Sequence, residues 1–361
     1  MNKKVLIIGP SPYKSKGGMA TVIQEMQESE ILNNGFDLEI HESYRDGNIF
    51  YRLLFSIYKF IKFLFIYKKY DIFHIHMASY GSTFRKGLYI DVLKNKNKNI
   101  ILHIHGAEYL VFYEKLSENK KLRVQNIWKK ADKIIVLSEQ WKQDFFKIFN
   151  LKSFVVINNG INIKKLKLAN SKVKECRNNF LFLGRIGKRK GAYDLIEAME
   201  NIIKKFPKIK LYMAGDGEVE EIKKLIQNKN LGENIVVVGW VNFDKKIDLL
   251  NKVATVVLPS YNEGLPMTIL EGMAAGKVII SSKVGAIPEV ISSDNGILID
   301  AGNITELSKA IIDILEMSDQ NLSIISKKNI EKIEKNFSMA MMHEQLKIIY
   351  KSQGEYDDKL L

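Results

Sequence analysis

Two glutamates with seven residues between them, Glu263 and Glu271, follow the apolar run Ala254–Leu258 in the segment PSYNEGLPMTILEGMAAG. The segment reads as an acidic loop that opens a helix beyond the carboxyl end of a strand. In an open parallel sheet that position binds ligands, because helix N-termini supply free N–H groups and the positive end of a dipole. Carboxylates repel phosphate but accept hydrogen bonds from hydroxyl groups. A ligand with hydroxyls on both sides of a diphosphate, as in a sugar nucleotide, suits both features. Glu271 has a second reading: Thr268-Ile269-Leu270-Glu271 matches a capping box, in which the glutamate returns to the cap residue's N–H. Glu263, between Asn262 and Gly264, has no such role.

A second constellation is FLFLGRIGKRKG, Phe180 to Gly191, a strand that ends in a glycine-punctuated basic loop. Gly184 lets the backbone approach an anion, Arg185 offers a bidentate fork and Lys190 a point charge. A solvated βα loop would read the same way. Arginine is scarce, seven against 48 lysines, and two of the seven, Arg185 and Arg189, sit here. Lys188 and Arg189 add charge without an evident role.

In the first half, the loop Gly9 to Thr21 follows the opening strand and carries Gly17-Gly18 before a helix. The glycines come too late, after Pro12, for a dinucleotide fingerprint, which argues against a nicotinamide enzyme. Backbone contact with phosphate or sugar fits them. Along Ile101-Leu102-His103-Ile104-His105, strand alternation puts both histidines on one face. The pair has the spacing of metal ligands, but neither a third ligand nor an Asp-x-Asp pair accompanies it in sequence, so no metal is expected. His105, just before Gly106, is placed to hydrogen-bond a substrate. His74 and His76 read as packing or rim residues. Asp216, in Ala214-Gly215-Asp216-Gly217-Glu218, reads as a turn or helix-start residue.

These motifs need parallel sheets to hold them, and short apolar runs alternate with amphipathic ones throughout the 361 residues. Strands are expected at Val5–Ile8, Ile72–Ile75, Ile100–Ile104, Lys133–Leu137 and Phe154–Ile157. Five more are expected at Phe180–Leu183, Lys210–Ala214, Ile235–Val238, Ala254–Leu258 and Val278–Ser281. The length suits two α/β domains. A linker is expected in the Lys-rich stretch near residue 165, giving domains 1–165 and 166–337, then a helix from Ser338 to Ser352 and a tail at Gly354–Asp358. Cys176, the single cysteine, reads as a semi-buried small hydrophobe.

Residues 1–165 carry 27 Lys and Arg against 15 Asp and Glu, whereas residues 166–361 carry 28 against 26. Such asymmetry suits an anionic partner, a membrane surface or nucleic acid; no nucleic-acid motif accompanies it, so nucleic acid is not expected. The segment Phe50–Tyr67, FYRLLFSIYKFIKFLFIY, is apolar almost all round, with a polar stripe of Arg52, Ser56, Lys59 and Lys62. Two readings stand: a crossover helix buried against its sheet, or a basic aromatic helix lying in a membrane interface. The N-terminus has no signal-peptide pattern, and a cytoplasmic location, peripheral on the inner face of the membrane, is expected.

The Gly17-Gly18 loop, His105-Gly106, Gly184-Arg185 with Lys190-Gly191, and Glu263-Gly264-Leu265-Pro266 with Glu271, in that order, resemble family 4 of the retaining glycosyltransferases. The resemblance implies the GT-B fold: α/β, two Rossmann-like domains with parallel sheets facing a cleft, and a C-terminal helix that crosses back to the first domain. It implies an acceptor-binding first domain and a second that binds a nucleotide-sugar donor, UDP-sugar or GDP-sugar. Arg185 and Lys190 would hold the diphosphate, Glu271 the ribose and Glu263 the sugar hydroxyls, with Gly184, Gly264 and Leu265 lining the donor site. Gly18 would approach the donor phosphate or sugar, and His105 the sugar near the reacting carbon. Family members use no metal or other cofactor. The implied activity is retaining hexosyl transfer to a glycan or lipid-linked glycan acceptor in cell-surface polysaccharide synthesis. A nucleotide-sugar epimerase, a sugar phosphorylase of the same fold, or an inactive partner subunit are the competing readings. Replacement of Glu263 by alanine is expected to cut transfer and preserve folding.

Overall fold

The structure is a computed structural model that describes residues 2–15, 17–106, 108–166 and 176–353. Part of the expected linker, residues 167–175, and the tail from Gly354 lie outside the described residues. Two compact units emerge, 1–160 with 339–361 and 161–338, each built on a six-stranded sheet.

The first sheet contains β1 (Lys3–Pro10), β2 (Phe36–Tyr44), β3 (Ile72–Met77), β4 (Asn99–Ile104), β5 (Lys133–Val136) and β6 (Phe154–Val156), in the order β2-β1-β3-β4-β5-β6. The second contains β7 (Asn179–Leu183), β8 (Lys210–Ala214), β9 (Ile235–Gly239), β10 (Thr255–Leu258), β11 (Val278–Ser282) and β12 (Gly296–Ile299), in the order β12-β11-β10-β7-β8-β9. Every pairing is parallel. All ten expected strands form. The two additional ones, β2 and β12, are each the edge of a sheet. An edge strand is covered less completely and tolerates polar residues. In β2, Asp37 and Glu39 are exposed between half-buried Leu38 and Ile40, so no continuous apolar run marks it.

The helix Met339–Ser352 belongs to the first unit. Met342, Leu346 and Tyr350 recur at helical spacing and pack into the core of Val5, Ile7, Ile72 and Ile101 on the first sheet. Tyr350 meets Phe36 edge-on at 5.3 Å, and its hydroxyl is hydrogen-bonded to His74 Nδ1 at 2.6 Å.

The Ile49–Ile66 helix is where sequence and structure part most clearly. Only Phe63 is buried, against Tyr89 and His41. Ser56 and Lys59 share its face and are half-buried; Ser56 Oγ donates to Arg52 O and Ser43 O. The middle of the polar stripe therefore faces the protein, while ten large apolar or aromatic side chains from Ile49 to Phe65 are 41–82% exposed. A fully buried crossover helix is thereby overturned. Among the described residues no helix is long and apolar enough to cross a membrane.

Replacing Leu346, which is fully buried, by alanine should destabilise the first unit by about 2–5 kcal/mol. Calorimetric unfolding measures this as a lowered midpoint for one transition, with the other unchanged.

Candidate functional site

In the second unit the strand order reverses between β10 and β7, so the loops leaving these neighbours start side by side at the carboxyl edge. Ligands bind at such switch points. The basic loop leaves β7, makes a 3-10 turn at Lys188–Lys190 and passes Gly191 into the helix Ala192–Lys205. Gly191 has φ +71°, and a Cβ there would lie 2.1 Å from Pro259 O. Only glycine permits this approach. The two loops are joined by Tyr261 N donating to Arg189 O at 2.9 Å. On the other side Gly285, φ +56°, leaves room for Glu263 O, which a Cβ would approach to 2.1 Å.

So confined, Glu263 is buried, and its carboxylate is held by an ion pair from Lys190 Nζ and a 2.7 Å hydrogen bond from Ser260 Oγ. Arg189 donates to Asn262 O at 2.9 Å and lies 4.0 Å from the second carboxylate oxygen. Arg189 thus has the role that its sequence position did not reveal. Burial lowers the pKa of Lys190 below the ordinary lysine value, and the adjacent Glu263 charge offsets part of that effect.

Glu271 is not a helix cap. Its helix, Met267–Ala274, begins after Pro266 with no side-chain cap, and the carboxylate instead pairs with Lys246 Nζ at 2.5 Å. Lys246, on the helix Phe243–Asn251, was not legible in the sequence because lysines are everywhere. Gly184 follows β7, and Gly264 and Leu265 continue the acidic loop, where Gly264 O accepts from Ala286 N at 3.0 Å. Arg185 is exposed and has no hydrogen bond or ion pair among the described residues. Arg189 and Lys190 from one loop and Glu263 from the other therefore meet beside two helix N-termini that lack side-chain caps.

The expectation that alanine at position 263 preserves folding fails on this geometry, because the change strands a buried ammonium. Glu263→Ala should cost about 3–5 kcal/mol, whereas Glu263→Gln retains an acceptor for Lys190 and should cost less. Denaturant titration of the two variants checks the difference.

In the first unit the order reverses between β1 and β3. Gly17 and Gly18 are exposed at the start of the helix Gly18–Gln27, which has no side-chain cap. His105 follows β4, with its backbone N donating to Met77 O at 2.8 Å and its Nε2 hydrogen-bonded to His76 Nδ1 at 2.8 Å. His103 and His105 do share a face, their ring centroids 4.1 Å apart. The β3 histidines join them: His74 Nε2 and His103 Nδ1 are 3.1 Å apart, and His74 and His76 are fully buried, which makes them packing residues. The expected pair of His103 and His105 does not gain a third ligand; a different group, His74, His76 and His103, has nitrogens within 4.8 Å of one another. Adjacent strands supply this group, which linear spacing hid.

Burial lowers His74 and His105 to a pKa of about 3, and lowers His76 and His103 well below the ordinary value. All four are neutral at pH 7. Because their folded pKa values lie below the unfolded value near 6.5, the unfolded chain binds more protons in acid. Stability is then complete above about pH 6.5 and declines towards pH 3, by about 1.4 kcal/mol per pH unit for each group that titrates independently. Thermal melts from pH 7.5 to 4.5 should show this decline, and a flat profile would contradict it.

Two family descriptions match the chain: Glycosyltransferase Family 4 over residues 20–165 and Glycosyl transferases group 1 over residues 164–333. An uncharacterized glycosyltransferase of Methanocaldococcus jannaschii is 30% identical over 354 residues, covering 91% of this chain and 87% of its own. The UDP-Gal:alpha-D-GlcNAc-diphosphoundecaprenol alpha-1,3-galactosyltransferase of Escherichia coli is 27% identical, covering 82% and 78% respectively. The crystal structure of HepE from Anabaena in complex with UDP-glucose superposes with a TM-score of 0.77 at 18% identity, covering 97% of this chain and 99% of that one. The chain belongs to the group 1 glycosyltransferases and has their GT-B fold.

Proposed function

We propose that this chain is a metal-independent, retaining hexosyltransferase that moves a sugar from a uridine diphosphate donor, before a guanosine one, to a lipid-linked glycan acceptor in cell-surface polysaccharide synthesis. The observation that carries the reading is the ion pair of Lys190 and Glu263 at the switch point of the second sheet, which joins the loop that bears Arg185 to the loop that leads into the helix of Glu271. Arg185 and Lys190 take the diphosphate, Glu271 the ribose and Glu263 the hexose hydroxyls, with the backbone at Gly184, Gly264 and Leu265 alongside. Gly18 and His105 are assigned the donor phosphate and sugar by family resemblance. The uridine base and lipid-linked acceptor are supported by the galactosyltransferase relative, and the base also by HepE, whose structure holds UDP-glucose.

In the proposed step an acceptor hydroxyl attacks the anomeric carbon on the face from which the diphosphate leaves. The carbon–oxygen bond to the diphosphate breaks, and a departing phosphate oxygen receives the hydroxyl proton. Arg185, Lys190 and the two helix N-termini stabilise the charge that develops on the leaving group. The exposed apolar face of the Ile49–Ile66 helix and the basic first half support work at an anionic membrane surface on the cytoplasmic side.

Arg185→Ala should leave the unfolding midpoint unchanged, since the side chain is exposed and unpaired, and lower transfer by roughly two to three orders of magnitude. A thermal-shift and hydrolysis screen of uridine, guanosine and adenosine diphosphate sugars tests the donor. Stabilisation by none of them would overturn the assignment.

A further inference from the structure

In the first unit the Ile49–Ile66 helix, the helix Gly81–Lys94 and the helix Glu118–Lys129 enclose a groove of about 690 Å³. Its floor is hydrocarbon and aromatic: Leu53, Ile57 and Phe60 from the first helix, Phe84, Leu88 and Tyr89 from the second. Its charged groups are all cationic, namely Arg52, Arg85, Lys120 and Arg123. Three of the chain's seven arginines are therefore gathered on one apolar groove. None of these four cations has a carboxylate within ion-pair distance among the described residues. Arg52 and Arg85 both stand 5.1 Å from the ring of Tyr44, and Arg85 Nε is buried with no hydrogen-bond partner. The two guanidinium groups share one ring, whose hydroxyl is hydrogen-bonded to Asp46, and the arrangement is incomplete because Arg85 keeps a buried donor without a partner, which costs free energy, and because the like charges repel.

We infer that the groove binds one molecule of a long-chain lipid phosphate or diphosphate, its hydrocarbon on the floor and its anionic head on Arg52, Arg85 and Arg123. Charge complementarity selects an anion, and the floor selects a chain attached to it. Leu53 and Ile57 line the groove and are also exposed on the outward face of their helix. A chain can therefore pass from a membrane against that face into the groove without crossing a polar barrier. This inference rests on the proposed lipid-linked acceptor and gives that acceptor's lipid a place.

Binding of farnesyl diphosphate, inorganic pyrophosphate and farnesol to the full chain, measured by calorimetry, tests it. Farnesyl diphosphate should bind at least about a hundredfold more tightly than pyrophosphate, since its hydrocarbon leaves water for the apolar floor. Gly81 lines the groove, and a Cβ there has no heavy atom within 4 Å, so Gly81→Trp fills the groove from an open position. It should weaken farnesyl diphosphate at least about tenfold. The double variant Arg52→Ala with Arg123→Ala removes groove cations instead and should do the same. Equal affinity for farnesyl diphosphate and pyrophosphate, or undiminished binding by both variants, would overturn the inference. So would displacement of the probe by phosphatidylglycerol vesicles that the variants no longer bind, which would make the groove a patch for the bilayer as a whole. Thermal shift by a uridine diphosphate sugar, measured on the same variants, reports the donor assignment separately and should be unchanged.

Discussion

The contact on which the loop edge of the second sheet depends is the largely buried pair of Lys190 and Glu263. Each charge alone would be costly where it lies, and together they fix the relative position of two loops that leave neighbouring strands. Ser260 and Arg189 complete the arrangement, and Gly191 and Gly285 allow the backbone to close around it. The loops can close this tightly only because β7 and β10 are adjacent. The sheet topology is thus the first cause and the ion pair its local lock. The positions of the two loops are thereby coupled through one ammonium group.

The first unit is organised by burial of a different kind. Four imidazoles stack across β3 and β4, joined by hydrogen bonds between rings and, through His74, to Tyr350 of the final helix. That helix is held both by apolar contacts and by a hydrogen bond to a group that must stay neutral. Packing of residues 339–353 and the protonation state of the sheet's histidines are consequently one problem.

Legibility followed the strength of the local signal. Central strands such as Ile100–Ile104 and Val278–Ser281 are buried on both faces and stand out as apolar runs, whereas β2 lacks that signature because an edge admits polar side chains, and β12 is only three apolar residues after a glycine. Glu263, Arg185 and Lys190 could be found because their residue types are unusual beside glycines at a strand end. Lys246 could not, since a lysine among 48 carries little information and its pairing with Glu271 exists only in three dimensions. The same limit hid the histidine group, in which the adjacent strand brings His74 and His76 to His103. In the Ile49–Ile66 helix the periodicity was visible but not its direction. Pattern identifies a polar stripe, and only the packing of Phe63 against Tyr89 says which side faces the protein.

The first unit is also discontinuous along the chain, residues 1–160 and 339–361, with the whole second unit inserted between. On a ribosome the first sheet emerges early yet lacks the cover that Met342, Leu346 and Tyr350 supply. The contiguous second unit has everything it needs to fold before that cover arrives. During synthesis the part begun first is thus the part finished last, and its bare core and outward-facing aromatic helix make this interval the one in which a chaperone or a membrane surface has the most to protect.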